Sequence, residues 1–390
     1  MDRGEGTKTA LRRNEAIARA MRGKARLVVK VGSSTLTHPT GKLNLGRMEA
    51  LARELADLAN AGHQPILVTS GAVAAGMGRL GMAGKPRSLP ERQAMAAVGQ
   101  GLLMQIYEKF FGEYSQIVAQ ILLTRDDTRE RRRYLNARHT LFTLLELGVI
   151  PIINENDTVA TEELQRQFGE NDTLAAMVAA LVAADLLVLI SDVDGLYTAD
   201  PRRDPGATRL PEVEEITPEI LAAAGGAGSS LGTGGMQSKL EAAKIATSSG
   251  CAMALIAGEP PGLLTRLLRG EDVGTVFLPR ARTLQAREQW IAFGQVPAGE
   301  LVVDAGAARA VREAGKSLLP SGIIAVRGEF AEGDLVRVVD GEGREIARGL
   351  VNYNHEDVAR LMGHRSAEIE GLLGRKGYDE VIHRDNMVCL

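Results

Sequence analysis

The chain has 390 residues, with 46 Lys and Arg against 49 Asp and Glu, so its formal net charge is −3 at pH 7. This length predicts two or three domains, and a hydrophobic fraction of 45% with a charged fraction of 24% is typical of a soluble globular protein. The near-neutral charge and the 4% of aromatic residues argue against a basic, base-stacking nucleic-acid surface as the main working part.

The cysteine and hydrophobicity patterns indicate a cytoplasmic protein. Cys251 and Cys389 form no C-x-x-C pair and the six histidines show no metal-ligand spacing, which argues against a disulfide framework or a zinc site. The most apolar stretch, residues 175–190, contains Asp185 and is shorter than the ~20 residues that span a membrane. Residues 1–24 lack the apolar core of a signal peptide, and we predict an extra helix or a loose tail there.

Short apolar runs alternate with amphipathic stretches between residues 26 and 278. The runs are continuous, as in strands that are buried on both faces of a parallel sheet. They lie at residues 27–31, 65–69, 117–123, 149–153, 186–190 and 252–256. Between the first two runs, Met48, Leu51, Leu55 and Leu58 recur with the spacing of one helix face. The alternation predicts an α/β sandwich with a mostly parallel sheet.

The character of the chain changes after Pro279. Residues 281–297 show no period and are predicted to form a linker, whereas closely spaced turns follow from Glu300. Residues 335–349 are predicted to form a hairpin with a glycine turn. The predicted organisation is an N-terminal extension (1–24), an α/β domain (25–280), the linker (281–297), a small β-rich domain (298–376) and a C-terminal tail (377–390).

Two common nucleotide-binding signatures do not account for this sequence. The P-loop pattern G-x-x-x-x-G-K-[ST] does not occur. GMGRLG at residues 76–81 matches G-x-G-x-x-G, but it does not directly follow a predicted strand, as a dinucleotide site requires. We therefore predict that these glycines lie in a loop.

Three glycine-containing segments lie where strands end or helices begin. Lys30 ends a strand in KVGSS (30–34), where backbone N–H groups and the lysine could hold phosphate, although the lysine could also only cap the strand. Ser70 precedes a predicted helix whose N-terminus could bind an anion, or it is only the N-cap. Lys239 lies in the first turn of a helix after GTGGMQS, where a positive charge is unfavourable unless an anion is also bound.

Two Asn-Asp pairs form a dense polar region. NENDTV (154–159) follows a predicted strand and FGENDTL (168–174) precedes an alanine-rich helix. Ligands bind at the carboxyl ends of parallel strands, so these residues could ligate a metal, bind an ammonium group or orient lysines. A solvated loop with Asx-turns is the alternative.

The ordered set of motifs resembles the amino-acid kinase family. The resemblance rests on KVGSS, SDVDGLYTADPR (191–202) and GTGGMQSK (232–239), and TSGAV, NENDTV and FGEND direct it to the glutamate 5-kinase branch. GELVVDAGAARAV, SLLPSGI and NYNHEDVARLMGH resemble a PUA domain. The resemblance covers about residues 26–385 and implies a three-layer α/β/α sandwich with a mostly parallel sheet, plus a small β-rich PUA-like domain.

The resemblance implies the roles of individual residues. Lys30 and Lys239 would stabilise the phosphoryl group in transfer, and Asp172 would hold both lysines in place. The implied ATP-binding residues are Lys30, Gly32, Ser33, Ser191, Asp192, Thr233, Gly234, Gly235, Met236, Gln237, Ser238 and Lys239. The implied substrate-binding residues are Ser70, Asp157 and Asn171, of which Asp157 suits an α-ammonium group.

The resemblance also implies ligands and partners. ATP would be the co-substrate with Mg²⁺, no protein metal cage is visible, and L-glutamate would be phosphorylated in the first step of proline biosynthesis. Proline is expected as a feedback inhibitor, a homo-oligomer as the assembly, and hand-over of the product to glutamate-5-semialdehyde dehydrogenase as a further step. Aspartate kinase, acetylglutamate kinase, nucleoside monophosphate kinase and RNA binding through the PUA-like domain remain alternatives. Residues 298–390 carry 12 Lys and Arg against 16 Asp and Glu, which argues against the last of these.

Overall fold

The computed structural model describes residues 3–38, 40–82, 84, 86–124, 127, 131–159, 171–224, 235–280, 296–375 and 377–389. The chain divides into two compact units, Met1–Thr283 and Leu284–Leu390. Within these described ranges, no helix combines the length and the apolar character needed to cross a membrane.

The first unit alternates strands and helices. Its helices are α1 (Arg3–Ala20), α2 (Ser33–Leu36), α3 (Leu45–Asn60), α4 (Ala72–Leu80), α5 (Leu89–Glu113), α6 (Arg131–Glu146), α7 (Asn171–Leu181), α8 (Pro218–Ala224), α9 (Met236–Ser248) and α10 (Leu263–Leu268). Its strands are β1 (Arg26–Val31), β2 (Gln64–Thr69), β3 (Val118–Leu123), β4 (Ile150–Glu155), β5 (Leu186–Ser191), β6 (Leu196–Tyr197), β7 (Arg209–Leu210), β8 (Glu212–Val213), β9 (Ala252–Ala257) and β10 (Thr275–Phe277). All six strands predicted from the apolar runs are confirmed.

In the part of the chain that the structure describes, eight strands form one sheet in the order β3-β4-β2-β1-β5-β9-β10-β8. The pairings from β3 to β9 are all parallel, and β10 runs antiparallel to β9. The mostly parallel sheet predicted from the sequence is therefore confirmed. Because β2 and β5 lie on opposite sides of β1, the strand order reverses at β1, and the crevice beside such a reversal is where ligands bind in this class of sheet.

The packing of α3 follows the predicted helix face. Met48, Leu51 and Leu55 are buried in the core beside the sheet, and Leu58 packs against the same core. The N-terminal helix α1 is held against the rest of the unit by Arg13. This side chain donates hydrogen bonds of 2.8 and 2.7 Å to the backbone carbonyls of Glu271 and Val273. The N-terminal residues therefore begin with a packed helix, one of the two forms predicted for them.

The prediction of a glycine loop at residues 76–81 is wrong, because Gly76 and Gly78 lie inside α4. A Cβ atom on Gly76 would collide with the backbone carbonyl of Met95, and one on Gly99 would collide with that of Ala72. The two glycines let α4 and α5 approach with their backbones in contact. Since this contact involves residues distant in sequence, the glycine spacing alone did not reveal it.

The second unit has its own sheet and core. Its elements are β11 (Gly299–Val303), α11 (Ala305–Arg312), β12 (Ile323–Gly328), β13 (Leu335–Val339), β14 (Glu345–Leu350), α12 (His355–Leu361), α13 (Ile369–Leu373) and β15 (Met387–Cys389). Within residues 296–375 and 377–389, five strands pair in the order β12-β11-β13-β14-β15. The hairpin predicted at residues 335–349 is confirmed as β13 and β14. Val381 and Ile382 are fully buried and β15 pairs with β14, so residues 377–389 belong to this unit rather than to a separate tail.

Candidate active site

Three predicted residues form a buried charge cluster at the carboxyl edge of the large sheet. Lys30, near the end of β1, and Lys239, in the first turn of α9, are each 5% exposed. Asp172, in the first turn of α7, lies between them and is fully buried. Its Oδ1 atom is 2.5 Å from Lys30 Nζ, and its Oδ2 atom is 3.3 Å from Lys239 Nζ. Ser238 Oγ also donates a hydrogen bond of 3.1 Å to Oδ2.

The charge state of this cluster follows from its surroundings. Burial raises the pKa of the Asp172 carboxyl, but the positive charges of Lys30 and Lys239 outweigh that effect and hold the pKa below its usual value. Asp172 is therefore ionised at neutral pH and is unsuited to act as a general base. With two cations and one anion, the cluster carries an excess positive charge that suits a phosphoryl group.

The turn after β1 lies directly beside the Lys30 ammonium group. A Cβ atom on Gly32 would lie 3.4 Å from Lys30 Nζ, which is van der Waals contact, so the backbone of this turn runs close to the charge. Ser33 begins α2 and is exposed at the same edge. This arrangement brings Gly32 next to the charge cluster, and Ser33 follows it in the chain.

The other predicted nucleotide-binding residues lie at the C-terminal end of β5 and at the N-terminal end of α9. Ser191 ends β5, and its hydroxyl donates a hydrogen bond of 3.0 Å to the carboxylate of exposed Asp192. Gly235 is the N-cap of α9, whose first residues are Met236 and Gln237. Thr233 and Gly234 lie outside the described residues.

The predicted substrate-binding residues Ser70 and Asn171 are in direct contact. Asn171 begins α7, and its Nδ2 atom lies 2.7 Å from the Thr69 carbonyl oxygen, 2.8 Å from Ser70 Oγ and 3.0 Å from Asn154 Oδ1. These three acceptors share its two hydrogens. Asn171 is adjacent to Asp172 in sequence, so the first turn of α7 joins this polar cluster to the buried charges.

Two residues of this region were not singled out from the sequence. Asn154, near the end of β4, is 3% exposed and donates a hydrogen bond of 2.8 Å to Gln100 Oε1 on α5. The sequence feature that could have identified Asn154 is its position directly after the apolar run at residues 149–153. Nothing in the sequence pointed to Gln100, because its role depends on the packing of α5 beside β4.

Asp157 lies at the same edge, where a one-turn 3₁₀ helix (Asp157–Val159) follows β4. It is half-buried, and burial raises the pKa of its carboxyl, although the charge of Arg92 acts in the opposite direction. Burial also raises the pKa of neighbouring Glu155, and the charge of Asp157 adds to that shift. Because β4 pairs with β2, Asp157 and Ser70 follow adjacent strands.

Comparison with known proteins agrees with this geometry. Residues 25–257 match the model of the amino acid kinase family, and residues 299–373 match the PUA domain. The chain belongs to the amino acid kinase family. The glutamate 5-kinase of Moorella thermoacetica is 58% identical over 94% of this chain and 96% of its own length. That of Carboxydothermus hydrogenoformans is 57% identical over 94% of this chain and 97% of its own length.

A solved structure of UMP kinase from Bacillus anthracis aligns with a TM-score of 0.46 and 17% identity, covering 67% of this chain and 98% of its own.

This member of the amino acid kinase family thus places buried positive charge and a polar cluster side by side at one sheet edge. Among the described residues, no group of three or more Asp, Glu, His or Cys side chains is placed to hold a metal ion. The Asp172 carboxylate is already held by the two lysines. None of the described side chains is therefore assigned as a metal ligand.

Proposed function

We propose that this chain transfers the γ-phosphoryl group of ATP to the γ-carboxylate of L-glutamate, giving L-glutamyl 5-phosphate and ADP. The observation that carries the proposal is the buried Lys30–Asp172–Lys239 cluster at the carboxyl edge of the sheet. The glutamate 5-kinases that match over 94% of the chain support glutamate as the acceptor.

The chemistry requires positioning and positive charge rather than a base. A free carboxyl group has a pKa of about 4.3, so the γ-carboxylate of glutamate is already ionised at neutral pH. A carboxylate oxygen attacks the γ-phosphorus, a new O–P bond forms, and the bond to the β-phosphate oxygen breaks to release ADP. Lys30 and Lys239 offset the repulsion between the anionic acceptor and the phosphoryl group, and Asp172 holds both lysines in position.

The remaining predicted residues divide between the two substrates. Gly32, Ser33, Ser191, Asp192 and the loop from Thr233 to Lys239 would bind ATP. Ser70, Asn171 and Asp157 would bind glutamate, with Asp157 facing the α-ammonium group. Mg²⁺ would accompany the ATP phosphates, as is usual for such sites, and we assign it no protein ligand.

An assay of ADP release with glutamate, aspartate, N-acetylglutamate and UMP in parallel tests the acceptor. We expect ADP release with glutamate, together with a hydroxamate when hydroxylamine traps the acyl phosphate. Faster turnover of aspartate, N-acetylglutamate or UMP would overturn the assignment in favour of another member of the family.

We also propose that proline inhibits the reaction by overlapping the glutamate site. Proline carries an α-carboxylate and a ring ammonium, the two charged groups that Ser70 and Asp157 would meet, but it lacks a γ-carboxylate to accept phosphate. We expect inhibition that excess glutamate relieves and that persists without the second unit. Noncompetitive inhibition that disappears with the second unit would make that unit the sensor.

The proposal extends to the setting of the enzyme. We propose a cytoplasmic homo-oligomer that catalyses the first step of proline biosynthesis. Because an acyl phosphate is reactive, hand-over to glutamate-5-semialdehyde dehydrogenase would protect the product. Analytical ultracentrifugation tests the assembly, and coupled assays with and without that dehydrogenase test the hand-over.

A further inference from the structure

A relay of three side-chain amides leads from α5 to the polar cluster at the edge of the sheet. Gln100 Oε1 accepts from Asn154 Nδ2 at 2.8 Å, and Asn154 Oδ1 accepts from Asn171 Nδ2 at 3.0 Å. The oxygen and nitrogen of an amide can be exchanged by a rotation, so the direction of such a relay must be decided by groups that cannot change their roles.

Two backbone groups decide the direction. The backbone N–H of Glu155 donates to Asn154 Oδ1 at 2.9 Å, so this atom must be the amide oxygen and the Asn154 nitrogen must face Gln100. The backbone carbonyl of Thr69 accepts from Asn171 Nδ2 at 2.7 Å, so this atom must be the amide nitrogen. Both assignments follow because a backbone N–H only donates and a carbonyl oxygen only accepts.

The direction of the relay determines what the site offers to a ligand. The two hydrogens of the Asn171 amide nitrogen are shared among three protein acceptors. The carbonyl oxygen of Asn171 is therefore the atom of this amide that remains for a ligand. Ser70 Oγ lies 2.8 Å from the Asn171 nitrogen, which cannot accept a hydrogen bond, so the hydroxyl hydrogen of Ser70 remains to be donated elsewhere. One acceptor and one donor therefore lie side by side.

We propose that Gln100 is a positioning residue that keeps this donor and acceptor arrangement fixed. Resting on the proposed function, the inference assigns the Asn171 carbonyl oxygen to the α-ammonium group of glutamate and the Ser70 hydroxyl to the α-carboxylate. Gln100 follows Gly99, the residue at which α5 meets the backbone of α4, so its own position is set by tight helix packing. It contributes an acceptor for the buried Asn154 nitrogen, which would otherwise be unpaired.

The test compares Gln100→Leu and Gln100→Met, which remove the acceptor oxygen, with Gln100→Glu, which keeps one. We expect the first two to raise the KM for glutamate about tenfold, as the loss of a partner for a buried polar group does, with little change in kcat or in the KM for ATP. Gln100→Glu should have a KM for glutamate close to that of the unsubstituted enzyme. Gln105→Leu, at an exposed position on the same helix, is the matched control.

A second measurement separates recognition from general damage. Glutarate lacks the α-ammonium group, so the preference for glutamate over glutarate should shrink in Gln100→Leu and Gln100→Met. An unchanged preference, an equal rise in the KM for ATP, or a Gln100→Glu enzyme as impaired as Gln100→Leu would overturn the inference. If the unchanged enzyme does not phosphorylate glutamate at all, the proposed function itself fails. Normal glutamate turnover with a normal Gln100→Leu enzyme contradicts only the relay.

Discussion

The two halves of the site use different chemistry although they meet in one helix turn. The half proposed to act on the phosphoryl group, here the phosphoryl half, consists of the buried charges Lys30, Asp172 and Lys239. In the glutamate half, the groups in direct contact are the neutral side chains of Ser70, Asn154 and Asn171, and the carboxylate of Asp157 is only half-buried.

The difference reflects what each half must do. Charges buried away from water act strongly on a phosphoryl group whose charge is redistributed during transfer. Neutral amides and hydroxyls exert weaker forces, but they distinguish a donor from an acceptor by direction. Because Asn171 and Asp172 are consecutive residues of α7, a shift of this turn would disturb recognition and catalysis together.

The largest effect should come from removing a charge from the phosphoryl half. Lys30→Ala and Lys239→Ala should each lower kcat by roughly 10²-fold or more, because charge stabilisation of the transition state is lost. The KM for glutamate should change much less. Lys244→Ala is the control, because it removes a lysine from the same helix at a position outside the proposed site. Kinetic constants of all three variants should be measured on folded protein. Near-normal kcat in either variant would remove that lysine from the mechanism.

Removing the Asp172 carboxylate tests how much the phosphoryl half contributes to the stability of the folded protein. Asp172→Asn should lower the free energy of unfolding by about 3–5 kcal/mol at pH 7, because two buried lysines lose their counter-charge. The native pKa of Asp172 is depressed, so its stabilisation is present above the usual carboxyl value of 3.8 and is lost as pH falls below it. Urea unfolding at pH 7 and in acid measures this. An equal difference between the two proteins at both pH values would contradict the ion-pair account.

In the glutamate half, Asp157→Asn should act on binding rather than on turnover. Loss of the partner of the α-ammonium group should raise the KM for glutamate roughly 30-fold or more, at the lower end of the ~2–5 kcal/mol for a broken charge pair. ATP binding should be almost intact. Steady-state kinetics with each substrate varied in turn measures both constants, and a defect confined to ATP would place Asp157 in the other half.

A smaller effect should appear with pH. Because burial raises the pKa of Asp157, this carboxyl gains its proton at a higher pH than an ordinary aspartate as the solution is acidified. The KM for glutamate should therefore begin to rise while pH is still above the usual value of 3.8. The γ-carboxyl group of glutamate, with a pKa of about 4.3, gains its proton in the same range with either enzyme. Asp157→Asn should therefore weaken the dependence on pH, and identical pH profiles for the two enzymes would show that Asp157 is not the protein group that titrates.

The smallest effect is expected from removing the second unit. Every residue assigned to chemistry lies between Lys30 and Lys239, and the first unit has a core of its own. A chain ending after Thr283 should keep glutamate kinase activity within about threefold, as independent domains do. A folded truncation without activity would show that the second unit completes the site.

The sequence by itself determined the α/β architecture and supplied the candidate residues of the site. Short continuous apolar runs between amphipathic stretches are typical of strands buried on both faces, and polar residues that follow such strands meet at one edge when the strands are parallel. The resemblance to the amino acid kinase family then named Lys30, Asp172 and Lys239 as candidate residues before any distance was known. The separate tail at residues 377–390 and the glycine loop at residues 76–81 were not correct, because both depended on how segments pack.

The tertiary structure alone decided which atoms face each other. The packing of α4 against α5 at Gly76 and Gly99 has no periodic signature, yet it places Gln100 beside β4. The direction of the Gln100–Asn154–Asn171 relay depends on backbone groups of β2 and β4 that are far apart in the chain. Sequence patterns report burial and the order of elements, whereas hydrogen-bond direction is a property of atoms that only folding brings within 3 Å of one another.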